Sequence, residues 1–288
     1  MKLAPFRLHR PETTAEARGL AAEYGFDAAY LAGGTELVLL MKLGLAAPRH
    51  VIDLKTVKGL DLIEIADDHI DIGAAVTHRQ LERHPSLRQV LPEFARVESI
   101  IANRRVRSSG TLVGNLCFAD PHSDPATLLT AMDASILISG PQGERRCSIG
   151  DFVIGPYMTD LEEGELVTSV RVGATPAGSS VAHERFKLKE RPAVTVSVYV
   201  EMSDTGVDAA RVVAGSVEPR PRRLATVESM VVASGPGSLP EVARAASSEA
   251  ACEDDQDGSG EYKRHLIGVL TTRALTRAMR EAGNGGRA

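Results

Sequence analysis

Two hydrophobic periods run along the chain. Residues 12–25 (ETTAEARGLAAEYG) place apolar positions at helical spacing and stop at Gly25. The short apolar run DAAYLAGG predicts a buried strand that enters the pair Gly33 and Gly34. TELVLLMKLGL then predicts an apolar helix beginning at Thr35. HVIDL reads as another strand. LIEIADDHIDIGA reads as a hairpin turning at Asp67 and Asp68, because Ile63, Ile65, Ile70 and Ile72 recur every second residue. VTHRQLERHP opens a helix, and SLRQVLPEFARVESIIANRRVRSS stays helical to about Asn103. A glycine-punctuated stretch from Gly110 leads into a further helix and a strand. GPQGERRCSIGDFV turns back into a strand, and ELVTSVRVG adds one more.

Between Gly173 and Ser180 (GATPAGSS) the residues become small and loop-like, which divides the chain into domains 1–176 and 177–288. Beyond it, VAHERFKLKE, AVTVSVYVEM and AARVVAGSV are rich in alternating or β-branched residues and predict an antiparallel meander. Three helical stretches follow, ending in SGEYKRHLIGVLTTRALTRAMRE. Strands first and helices after predict an α+β layer in the second domain. At 288 residues the chain can build more than one core.

The formal charge of -5 argues against nucleic-acid binding, which needs a basic face, and the absence of Trp removes the best stacking side chain for bases. No uncharged run reaches membrane-spanning length, and the N-terminus lacks the apolar segment of a secretory signal. Cys117, Cys147 and Cys252 are scattered, as in a reduced cytoplasmic protein, and cannot supply a four-cysteine iron–sulfur cluster. His78, His84 and His122 lack metal-ligand spacing. CEDDQDGSGEYKR imitates a calcium loop, but its twelfth position is Arg264 where a bidentate Glu is required; it reads as a solvated turn.

The glycine pair admits two readings: a tight structural turn, or a bend bare enough for an anion to approach the main chain. Thr35 would cap the following helix and offer a hydroxyl. A second stretch, Ser109 to Asp124 (SGTLVGNLCFADPHSD), repeats the theme. Gly110 and Gly114 bracket Thr111, Asn115 follows, and Asp124 precedes Pro125. Asp124 suits either a helix cap or a ribose or flavin N–H. Two such bends form a clamp for a diphosphate.

AGGTEL followed by GTLVGN and ADPHSD resembles the paired flavin loops of the molybdenum hydroxylase medium subunits. That family includes the carbon monoxide dehydrogenase medium subunit and the flavin domain of xanthine dehydrogenase. Its usual forms are A-G-G-x-S/T-L and T-I-G-G-N, then A-x-P-x-S-D, and the resemblance extends over residues 1 to about 285. Two departures stand out: Val113 replaces the first glycine of G-G-N, and RVRSS lacks the usual glutamine and asparagine.

The resemblance implies an α+β fold: a p-cresol methylhydroxylase-type FAD-binding domain of two α/β subdomains, then a C-terminal domain of antiparallel sheet plus helices. It implies that Ala32, Gly33, Gly34, Thr35, Glu36 and Leu37, with Gly110, Thr111, Gly114 and Asn115, clasp the pyrophosphate and ribityl chain of FAD. Asp124 would contact the cofactor. Ile101 would stand where xanthine dehydrogenase carries an aromatic over the ring, and Leu166 would line it. Lys187, from F-K-x-x-x-R, would put a cation by the pyrimidine edge and favour reduction; Lys189 is the alternative inward-facing cation. No catalytic or metal-ligating residue is expected, and FAD is expected to be non-covalent.

Function follows by implication. A large partner would hold molybdopterin, and a small partner would carry two [2Fe-2S] clusters. This chain would pass their electrons to an external acceptor, and the resemblance implies that the complex is a dimer of heterotrimers. Alternatives are a self-contained FAD-dependent oxidoreductase of the same fold and an assembly subunit that has lost FAD.

Overall fold

The computed structural model describes residues 3–285. Strands Arg7–His9, His50–Asp53 and Ala28–Leu31 form a parallel sheet in that spatial order. Parallel neighbours need long crossovers, and helices Thr14–Tyr24 and Leu37–Leu43 lie in them. The first is capped by Thr13, which accepts from Glu16 N, and closes at Gly25, whose φ of +49° suits glycine.

The second sheet is antiparallel, in the order Ile63–Ile65, His69–Gly73, Leu166–Gly173, Ser135–Gly140, Gly143–Ser148. The hairpin pairs Ile63 with Ile72 and Ile65 with Ile70. Ile70 and Ile72 are buried in the core and Ile63 packs partly buried against it, whereas Ile65 on the edge strand is exposed.

The helix expected to run to Asn103 is broken. Pro92 forces Leu91 out of the helical region (φ -134°, ψ 63°), separating Pro85–Val90 from Pro92–Ile100. The second piece stops at Ile100, and Ala102 turns left-handed at φ 40°. Asn103 then caps Arg104–Arg107 by accepting from Arg105 N and Val106 N.

The meander is as read: Ser179–Phe186, Val194–Ser203 and Gly206–Gly215, with a two-residue fourth strand, Arg222–Arg223. Residues 194–200 are all buried. The long helix Gly260–Gly285 packs on this strand, as does Asp124–Ala131 from the first half of the chain, where Thr127 and Thr195 hydroxyls meet at 3.1 Å. The acidic turn before the last helix is not simply solvated. Asp254 accepts from Gly260 N at 2.7 Å, and Asp255 pairs with buried Lys263. Among the described residues no helix is long and apolar enough to cross a membrane, and no group of three or more His, Cys, Asp or Glu could hold a metal.

Candidate functional site: a cleft where two bends cross

A Cβ on Gly33 would lie 2.3 Å from Ser109 O and 2.5 Å from Gly110 Cα. Real Cβ atoms do not come so close, so Gly33 is bare because the second bend crosses directly over it. Gly34 has a different reason: φ is +70°, the left-handed region that glycine enters at little cost. The structural and the chemical reading therefore meet. The same close crossing that needs glycine also brings two stretches of main chain to one place.

Thr35 does not cap the helix. The helix is Leu37–Leu43, Glu36 precedes it, and no side chain caps it. Thr35 lies against the second bend, its Oγ1 3.4 Å from where a Gly110 Cβ would stand. The second bend also differs from expectation. Leu112–Phe118 is a helix capped by Thr111, whose Oγ1 accepts from Gly114 N at 3.0 Å. Gly114 and Asn115 are thus helical rather than loop residues, and a Cβ on Gly114 would press on Thr111 Oγ1 at 2.7 Å. Val113 sits in the same helix with its side chain in the core, 4% exposed, which accounts for an apolar residue where the family has glycine.

The bends open into a cleft of about 750 Å³, within the ~300–1,000 Å³ range of small-molecule sites. Ala32, Gly33, Gly34, Thr35, Glu36, Leu37, Ile101, Thr111, Gly114, Asn115, Asp124, Leu166 and Lys187 all line it. Gly110 does not line it but forms the crossing behind it. Three units make the walls: the end of the parallel sheet, Leu166 on the antiparallel sheet, and Lys187 just beyond strand Ser179–Phe186 of the meander. Lys189 turns the other way, to Asp257 at 3.4 Å and Gln256 O at 3.3 Å, so of the two lysines it is Lys187 that lines the cleft.

Asp124 is not the helix cap. Ser123 takes that place, accepting from Ala126 N at 3.1 Å. The Asp124 carboxylate is instead held from the meander, by His183 Nε2 at 3.1 Å and Arg185 Nη1 at 2.6 Å. Burial would raise its pKa, but the hydrogen bond and charge of His183, with Arg185, outweigh that and keep it below the ordinary carboxylate range. Arg185 also donates to Ile100 O at 3.0 Å, and Arg107 donates to Ile101 O at 2.9 Å. Two guanidinium groups thus fix the main chain that carries Ile101.

Several residues that line the cleft were not among the expected site residues. Arg191 pairs with Asp120 at 2.5 Å, and burial raises the pKa of Glu36 nearby. Arg191 was legible as the arginine of F-K-x-x-x-R. Arg185, His78 and Tyr30 were not, because only the fold brings their strands and helices to the cleft. Cys117 lines it too; burial pushes its thiol up to about 12, which leaves a poor nucleophile.

The residues fit an anionic dinucleotide. Bare main chain stands at the crossing, Lys187 and Arg191 supply positive charge, and apolar Ile101 and Leu166 face the same space. The Tyr30 hydroxyl is a buried polar atom in the cleft wall with no partner among the described residues, which a bound ligand would supply.

Comparison with known proteins agrees. Residues 4–175 match the FAD binding domain in molybdopterin dehydrogenase, and residues 185–278 match the CO dehydrogenase flavoprotein C-terminal domain. The chain belongs to the family of FAD-binding medium subunits of molybdopterin dehydrogenases. It is 33% identical to the carbon monoxide dehydrogenase medium chain of Hydrogenophaga pseudoflava, over 95% of this chain and 96% of the relative. The solved carbon monoxide dehydrogenase of that organism, lacking the Mo-pyranopterin moiety, superposes with a TM-score of 0.92 at 31% identity, over 97% of this chain and 99% of the other. Quinoline 2-oxidoreductase from Pseudomonas putida 86 gives 0.91 at 27% identity, over 98% and 99%. The α+β fold with an FAD-binding part and a C-terminal part stands, as does the assignment to an oxidoreductase subunit that takes FAD.

Proposed function

We propose that this chain is the electron-exit component of a three-part molybdenum hydroxylase. Bound FAD would supply the redox chemistry, accepting electrons from [2Fe-2S] clusters of a small partner and releasing them to an external acceptor. A large partner would hold molybdopterin and oxidise the substrate. Carbon monoxide, a purine and an N-heterocycle are all compatible with such an assembly. We place the complex in the cytoplasm as a dimer of heterotrimers, with the chain divided at 176/177.

The observation that carries this reading is the crossing of the Gly33 and Ser109–Gly110 main chains at the mouth of a mixed polar and apolar cleft. Ala32 to Leu37 and Gly110 to Asn115 would hold the pyrophosphate and ribityl chain. Ile101 and Leu166 would exclude water from the ring, and Lys187 would stand at its polar edge. FAD would be held non-covalently, since the sequence carries no motif for covalent attachment.

The test is purification of the chain with its genomic neighbours. One FAD per chain, released by denaturation, with iron and molybdenum in two co-purifying partners, is the expected outcome. A flavin-free chain, or one that purifies alone as an active flavoenzyme, overturns it.

A further inference from the structure

Beside the second bend lies a buried acid–imidazole pair. His78 opens helix His78–Arg83, and Glu98 lies on Pro92–Ile100; both side chains are almost fully buried, and His78 Nδ1 stands 2.6 Å from Glu98 Oε2. Such a pair is costly to bury, and apolar residues of similar volume would serve stability as well or better. Its neighbours in sequence on the same two helices, Leu81, Phe94 and Val97, are core residues. A role in packing alone therefore does not explain it.

The geometry makes one ring nitrogen structural and frees the other. Nδ1 donates to the Glu98 carboxylate, which fixes the orientation of the ring. Nε2 has no hydrogen-bond partner among the described residues, yet the side chain lines the cleft. The ring is tied to the bend itself: His78 N donates to Gly110 O at 3.0 Å, and Thr77 bridges Thr111. His78 Cδ2, bonded to Nε2, lies 3.4 Å from the position of a Gly110 Cβ. The free nitrogen is therefore held beside the main chain of the crossing. The second carboxylate oxygen, Glu98 Oε1, is buried and has no hydrogen-bond partner among the described residues.

We propose that His78, oriented by Glu98, is a further anchoring residue for the dinucleotide, its Nε2–H donating to an oxygen of the pyrophosphate. With both ring nitrogens protonated the pair is neutral overall and presents one N–H to the cleft. A phosphate oxygen then receives a charge-assisted hydrogen bond without a further uncompensated charge being buried. The inference rests on the FAD reading of the cleft, and adds an interaction that the glycine motifs do not contain.

Two substitutions separate the two ring nitrogens. His78→Asn keeps a group at the Nδ1 position for Glu98 and removes the donor at Nε2. His78→Gln keeps an amide donor near the Nε2 position and gives up the Glu98 contact. The full chain, stripped of flavin, is titrated with FAD, ADP and riboflavin. His78→Asn should bind FAD and ADP roughly 10- to 100-fold more weakly, the worth of a hydrogen bond to a charged group, with riboflavin binding and apo melting unchanged. His78→Gln should recover part of the loss. In the wild-type chain the His78 ring-nitrogen resonances should shift on adding FAD or ADP and not riboflavin, which tests the contact even if a variant does not fold. Unchanged FAD and ADP affinity in His78→Asn, equal loss for all three ligands, or unmoved resonances would overturn the anchoring role while leaving the cleft an FAD site. A wild-type chain that binds none of the three overturns the reading of the cleft itself.

Discussion

Glu93 and Arg277 are 184 residues apart in the chain and meet at 2.7 Å between Oε1 and Nη2. The same carboxylate takes Arg96 Nε at 2.7 Å and His183 N at 2.5 Å. Helix Pro92–Ile100, strand Ser179–Phe186 and the last helix are thus joined at one buried acid. Replacing it with Gln removes the charge that offsets two guanidinium groups, at an expected cost of about 3 kcal/mol, the low end for breaking a buried pair because Arg96 is partly exposed, read by denaturant unfolding. A change near zero would show that the pairing adds no net stability.

The same group predicts an acid limb. Burial would raise the Glu93 pKa, but the hydrogen bond and charge of Arg96, with Arg277, hold it below the ordinary carboxylate value. A carboxyl depressed in the folded state adds stability that is present above its unfolded pKa and is lost as pH falls through the folded one. Asp124, depressed likewise, adds to the effect. Wild-type melting temperature should therefore fall below about pH 4–5 more steeply than that of Glu93→Gln. Parallel acid limbs in the two proteins would remove Glu93 as a cause.

Gly33 and Gly44 form a matched pair of tests. A Cβ on Gly33 meets the Ser109 carbonyl, whereas a Cβ on Gly44 would meet nothing within 4 Å among the described residues beyond its own stretch of chain, though its φ is +74°. Gly44→Ala should lose only about 1 kcal/mol from backbone strain and retain full FAD content. Gly33→Ala should force the bends apart, lowering both melting temperature and FAD content. Loss of flavin in Gly33→Ala without loss of stability would indicate that only the ligand, not the crossing chain, needs the glycine.

How far the sequence carried the fold is visible at these same positions. Local signals were sound: Gly25 ends a helix, Asp67 and Asp68 turn a hairpin, and the β-branched run 194–200 is a central strand. Boundaries failed where one local effect beat periodicity, as where Pro92 breaks a helix and Thr111 rather than a loop organises Gly114. Glycine spacing marked where the two bends lie, but not that they touch. That contact is long-range, between residues 33 and 109, and no local period encodes it. For the same reason Asp124 was legible as a special residue while its partners, His183 and Arg185, were not.

Asp124 and Arg185 can be apportioned by a double-mutant cycle. If the carboxylate serves mainly to hold Arg185, then Asp124→Asn and Arg185→Met should each destabilise the flavin-free chain, and the double variant should lose less than their sum. A coupling of about 1–3 kcal/mol is expected for contacting charged groups in one network. Additive losses would place the role of Asp124 elsewhere, either with His183 alone or with the ligand.

Lys187 gives the prediction that reaches function. It follows directly on the strand Ser179–Phe186 and lines the cleft, while Lys189 is engaged by Asp257 on the other side. A cation near the polar edge of a bound flavin stabilises negative charge arriving there. Because the side chain is exposed, solvent screens it, and about 1 kcal/mol is a reasonable Coulomb term at close range in water. Spread over two electrons, that corresponds to about 20 mV. Lys187→Met should lower the flavin midpoint potential by that order, with FAD content and melting temperature unchanged, and Lys189→Met should leave the potential where it was. The opposite result, a shift in Lys189→Met and none in Lys187→Met, would transfer the role to the residue that the structure turns away from the cleft.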